Sequence, residues 1–261
     1  AFGDYALATG ALTGNNNTAS GFNSMYKNTT GASNTATGSY SLYYNTTGAN
    51  NTAIGYQALH SNTTGSYNTA NGYGSLYSNT TGSYNTASGY RALNANTTGG
   101  TNIASGYQAL FYNTTGTQNT ATGYNSLYSN STGSNNVATG YQSLYANTTG
   151  SSNTTCGIQA LYNNTTSNNN VAVGQKSLYS NTTGNGTAIG YRALYSNTTG
   201  IRNTAIGYSA LYANTTGTGN IALGMSAGDN ITTGSSNIII GYNIDAPSAT
   251  ASNQLNIGNT I

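Results

Sequence analysis

One phrase, N-T-A-x-G-Y-x-A-L-Y-x-N-T-T-G-x-x, recurs along the chain, and its central glycine returns every 17 residues. It stands at Gly21, Gly38, Gly55, Gly72, Gly89, Gly106, Gly123, Gly140, Gly157 and Gly174; one residue is then lost, and the series resumes at Gly190, Gly207, Gly224, Gly241 and Gly258. A spacing this strict confines each copy to one small unit that packs against its neighbours. Such a unit is too short for a helix, a strand and two turns, but it accommodates two short strands joined by tight corners. The expected fold is therefore all-β, a parallel β-solenoid (β-roll) built from about fifteen 17-residue coils. Residues 1–20 read as an irregular first coil, 21–241 as the repeat solenoid, and 242–261 as a junction and last coil.

In the copy Asn51–Tyr67, Thr52–Ile54 is predicted as a strand, being β-branched and bounded by Asn and Gly. Tyr56–His60 is expected to form a second extended segment, its spacing also fitting one helical turn. Asn62-Thr63-Thr64-Gly65 reads as a turn. Coils at about 4.8 Å spacing predict a rod about 70 Å long. Pro247 falls outside the regular region, consistent with the inability of proline to donate to a ladder.

The interior is expected to be thin: an Ala two before the glycine, and a Leu four after it. The leucine ladder comprises Leu42, Leu59, Leu76, Leu93, Leu110, Leu127, Leu144, Leu161, Leu178, Leu194 and Leu211. At about 25 cal/mol per Å² this burial falls short of the cost of ordering each coil, so tyrosine packing or other chains must supply more. The slot just before the glycine turns from polar (Ser20, Thr37, Ser88) to apolar (Val173, Ile189, Ile206, Leu223, Ile240) along the chain. Strand alternation points it away from the Ala slot, so one of the two faces the interior and the other a partner.

Three ladders are expected on the surface. The first is aromatic: Tyr56, Tyr73, Tyr90, Tyr107, Tyr124, Tyr141, Tyr191 and Tyr208 follow the glycine, and a second tyrosine row lies four residues on. It reads as ring stacking over a thin core, or as a platform for sugars. The second ladder is the N-T-T asparagines: Asn28, Asn45, Asn62, Asn79, Asn96, Asn113, Asn130 (as N-S-T), Asn147, Asn164, Asn181, Asn197 and Asn214. Each either hydrogen-bonds its copies above and below or accepts a glycan at N-x-[ST]. The third, Asn34, Asn51, Asn68, Asn85, Asn119 and Asn203, is expected to cap a corner.

Charged residues make up 3% of the chain, and the net charge is +2. Five dispersed cations give no basic stripe, so no nucleic-acid partner is expected. No apolar run is long enough for a membrane-spanning segment. The start, Ala1-Phe2-Gly3-Asp4, does not read as a signal peptide, so any export signal is expected to have been removed or to lie outside this segment. Three carboxylates, one His and one Cys in separate repeats leave no catalytic set, no metal site and no cofactor to expect. Lone Cys156 is read as a small buried hydrophobe and His60 as a surface ring replacing the usual Tyr.

The phrase N-T-A-I-G-Y, at Asn51–Tyr56 and Asn203–Tyr208, resembles the head repeats of YadA-type trimeric autotransporter adhesins and repeats of phage tail-fibre proteins. The ending from Ile240 to Asn259 is similar to the junction that follows such arrays. The resemblance implies a trimerising β-roll at a cell surface or on a virion tail. The reading is thus a structural, non-enzymatic extracellular fibre that partners itself, as a homotrimer or an end-to-end polymer, with surface glycans as a further partner. The alternatives are a glycosylated filament subunit, a tail-fibre shaft, and an ice- or carbohydrate-binding module.

Overall fold

The computed structural model describes residues 2–7 and 13–258, so a few positions of the expected terminal segments lie outside it. The chain is an all-β parallel solenoid of tandem repeats, and no helix forms among the described residues. It divides into two compact units, Ala1–Ser134 and Asn135–Ile261.

Each coil contributes one strand. In the first unit these are β1 (Thr18–Ser20), β2 (Thr35–Thr37), β3 (Thr52–Ile54), β4 (Thr69–Asn71), β5 (Thr86–Ser88), β6 (Ile103–Ser105) and β7 (Thr120–Thr122). They pair in parallel and in sequence order, Ala on Ala in every pair and, in the slot before the Ala, Thr on Thr except where Ile103 stands between Thr86 and Thr120. Phe2 bridges Ser20 ahead of β1. The second unit holds β8 (Val137–Thr139), β9 (Thr154–Cys156), β10 (Val171–Val173), β11 (Gly186–Ile189), β12 (Asn203–Ile206), β13 (Ile221–Leu223), β14 (Ile238–Ile240) and β15 (Leu255–Ile257). These too pair in parallel order. Pairing equivalent residues keeps every side chain on its own face, which a slip of one residue would reverse.

The expected second strand does not form. Tyr56–His60 is a run of turns, with Gln57 at φ 57° and Leu59 at φ 52°, both in the left-handed region. A non-glycine residue there costs roughly 1–2 kcal/mol. The conformation aims alternate amides along the stack, where Gln57 N–H donates to Ser39 O at 3.0 Å and Leu59 N–H to Ser75 O at 3.0 Å. An extended 56–60 would also lengthen the coil beyond what its single Leu can fill.

Repeat glycines are required by contact as well as conformation. Gly55 sits at φ 128°, and a Cβ on it would lie 2.7 Å from the carbonyl oxygen of Gly72 in the next coil. The missing residue of the 16-residue coil is taken from the corner after Gly184, so that Gly186 pairs with Asn203. The last coil departs from the phrase: Gln254 takes an asparagine slot, its amide bonding Ser248 O at 2.7 Å and Ala251 O at 2.8 Å.

Candidate functional site: buried ladders and exposed faces

Strand alternation settles which slot faces inward. From β1 to β14 the residue in the Ala slot is buried and the two flanking it point outward, whereas Asn256 in that slot of β15 is half-buried. The Ala row, a second small row (Ser41, Ala58, Ser75, Ala92 and their equivalents) and the Leu ladder line the interior. Leu42 through Leu211 are fully buried and, with Met25, are the largest fully buried side chains. Cys156 is accordingly exposed rather than buried, since it lies in an outward slot. Its inward neighbour Thr155 replaces Ala, and its hydroxyl is met by Ser143 Oγ at 2.7 Å and Val137 O at 3.1 Å.

The asparagine ladders are interior, not on the surface. All twelve N-T-T asparagines are at most 1% exposed. Asn62 Nδ2 donates to Gly65 O at 2.9 Å, closing its own turn, and to Asn45 Oδ1 at 2.8 Å in the preceding coil. The same bond repeats from Asn79, Asn96, Asn113 and Asn130 to the asparagine before each. In the second unit it joins Asn164, Asn181, Asn197 and Asn214 to their predecessors. An amide so occupied has no room for a glycan on the folded coil; the geometry supports the ladder.

The third row is a ladder too. Asn51 Nδ2 donates to Gly65 O at 2.8 Å, and Asn51 Oδ1 accepts from Asn68 N–H at 2.9 Å. Gly65 O thus receives two buried amides, which fixes the corner. Sequence reading missed Asn102, Asn136, Asn153, Asn170, Asn220 and Asn237, which are buried in the same slot but lack the following Thr-Ala. Position relative to the glycine, rather than the neighbouring letters, was the signal that would have found them.

The tyrosines after the glycine stack on one another and are exposed, apart from half-buried Tyr191. Tyr56, Tyr73, Tyr90, Tyr107 and Tyr124 follow one another with ring centroids 4.9–5.3 Å apart. Tyr191 and Tyr208 stack at 5.0 Å in the second unit. In the parallel row, His60 lies between Tyr43 at 5.4 Å and Tyr77 at 4.9 Å, and burial pushes its pKa below the usual value. Near the C-terminal end, burial and then a hydrogen bond with Asp245 raise the pKa of the Asp229 carboxyl from its ordinary value, with Ser226 pulling the other way. No cluster of three or more His, Cys, Asp or Glu occurs among the described residues, and no helix is long and apolar enough to cross a membrane.

The outward strand faces of the two units differ in chemistry. From β1 to β7 the outward residues are Thr, Ser and Asn, with Ile54 and Ile103 the exceptions. From β10 to β15 all are Val, Ile or Leu except Thr187 and Thr204. Fold and faces define a repetitive β-solenoid scaffold. No protein-family profile, curated protein or solved structure matches the chain.

Proposed function

We propose that the chain is a structural, non-enzymatic element of an extracellular fibre, and that it associates with further copies of itself through the outward strand face of β10–β15. The observation that carries this reading is the exposed apolar ladder: Ile206, Ile221 and Ile238 are each about two-fifths exposed (41%, 38% and 38%), with Leu255 and Ile257 more so. Parallel sheets are ordinarily covered on both faces, and a contiguous exposed apolar patch marks an interaction site. A second copy fits because it has the same coil spacing and no charge on this face to bury. The YadA-type resemblance supports the same reading, as does the near absence of charge.

A reading as an ice-binding surface needs a regular Thr-x-Thr array facing outward. Only β2 and β7 present Thr at both outward positions, so the observations favour self-association.

The test is light scattering after size exclusion, on the full chain and on the triple variant Ile206→Thr, Ile221→Thr and Ile238→Thr. Thr occupies equivalent outward slots in the first unit, at Thr37, Thr69 and Thr86, so the variant retains its coils. The chain should run as a multiple of its 26.6 kDa mass and the variant as a monomer. A monomeric parent chain would overturn the reading.

A further inference from the structure

The aromatic row containing His60 stops below Tyr77, because the corresponding residue of the next coil is Asn94. In the adjacent column, Gln57 and Arg91 flank a position where the chain has Gly74. The missing side chain at Gly74 and the missing ring at Asn94 are neighbours, and together they open a notch of about 290 Å³ lined by Gln57, Tyr73, Gly74, Tyr77, Arg91 and Asn94. In the neighbouring coils the columns carry Tyr40, Gln57, Arg91 and Gln108 on one side and Tyr43, His60, Tyr77, Phe111 and Tyr128 on the other, so the notch is a local departure from them.

Its chemistry is specific. Asn94 absent its ring leaves one face of Tyr77 without a stacking partner, and an aromatic face attracts polarised C–H groups. Asn94 is held by a bond from Nδ2 to Gly74 O at 2.8 Å, which leaves its Oδ1 to accept. The Gln57 amide offers a donor and an acceptor from the coil above. The Arg91 guanidinium lies 5.9 Å from the Tyr73 ring and 5.4 Å from that of Tyr90. Asp4, the carboxylate of the first unit, stands five coils off, from Gly3 through Gly21, Gly38, Gly55 and Gly72 to Gly89, or roughly 24 Å at ladder spacing. Arg91 therefore has its forked donors available to an anion.

We infer that this notch binds a single acidic sugar ring, a hexuronate unit, with its C–H face on Tyr77, its hydroxyls on Gln57 and Asn94, and its carboxylate on Arg91. The volume lies at the lower edge of small-molecule pockets and admits one pyranose. A carboxylate paired bidentately with Arg gives the orientation, and the amides select hydroxyls. The site is confined to one place in the first unit and does not depend on how copies associate through the second.

The experiment is a ¹H–¹⁵N correlation titration of the full chain with sodium D-glucuronate, and in parallel with D-glucose and sodium acetate. Glucuronate should shift the amides of Gln57, Gly74, Arg91 and Asn94 saturably, with glucose and acetate roughly tenfold weaker or worse. Gly74→Gln should abolish the response. Gln occupies this slot at φ 57° in Gln57 and φ 51° in Gln108, and a Cβ on Gly74 would meet Asn94 Nδ2 at 3.3 Å, so the variant folds. Asn94→Tyr, restoring the ring row, should act likewise. No saturable shift with glucuronate, an equal response to glucose or acetate, or a response retained in both variants would each overturn the site.

Discussion

A buried asparagine is ordinarily a liability, because an unmet amide inside a protein costs more than a methyl group gains there. In this chain the liability is removed by repetition: each Asn amide finds its acceptor on the identical residue one coil away. Such chains of amides polarise one another and grow stronger along the stack. Asn62→Ala should therefore cost about 2–4 kcal/mol, since it strips a donor from Asn45 Oδ1 and Gly65 O and an acceptor from Asn79 Nδ2. Urea denaturation followed by circular dichroism should show the loss as a lowered midpoint; an unchanged midpoint would contradict the ladder's role. The glycines were legible from their period alone, whereas the depth of the asparagines was not. Polarity scales place Asn outside, and only the closed hydrogen-bond count makes the interior tolerable.

The strands of three or four residues were read correctly, because β-branched Thr and Ile bounded by Asn and Gly leave little else for Thr52–Ile54 to form. The segment after Gly55 was misread as extended. Its signal was present: in the coils from Gly21 to Gly241 neither the position of Gln57 nor that of Leu59 carries Val, Ile or Thr, which left-handed backbone disfavours. The same segment carries His60, whose lowered pKa has a definite sign. The folded state favours the neutral ring, so its contribution is present above the unfolded value near 6.5 and is lost as pH falls through the folded value. Thermal melts should thus show the chain losing stability between neutral and acidic pH, with His60→Tyr reducing that loss because Tyr43 and Tyr77 show that the slot accepts a tyrosine. A variant with the same pH dependence as the parent would exclude His60 as its source.

At the scale of the whole chain, the period alone implied coils, parallel pairing and a core of Ala and Leu, since a repeat can stack on itself in few ways. The split between a polar outward face in the first unit and an apolar one in the second was visible as a gradient in one slot. Its direction required the burial pattern of the strands. The notch at Gly74 was hidden, because it arises from two substitutions in different coils whose adjacency exists only once the coils stack. Coil interchangeability gives a direct test. Deleting residues 69–85, one full phrase, should leave cooperative unfolding intact, and deleting residues 69–76 should abolish it by throwing the glycine and asparagine rows out of line. Equal behaviour of the two deletions in calorimetry would contradict register as the organising constraint.

The bond from one asparagine to its copy has a further outcome at the level of the gene. Each coil of the regular region satisfies its neighbours with groups that the adjoining regular coils also carry, so unequal recombination between those repeats can lengthen or shorten the coding sequence by whole phrases without creating a new interface. Heredity can thus tune reach in a single event, while single-codon losses are tolerated only in a corner such as that after Gly184, where the hydrogen-bonded rows are not displaced.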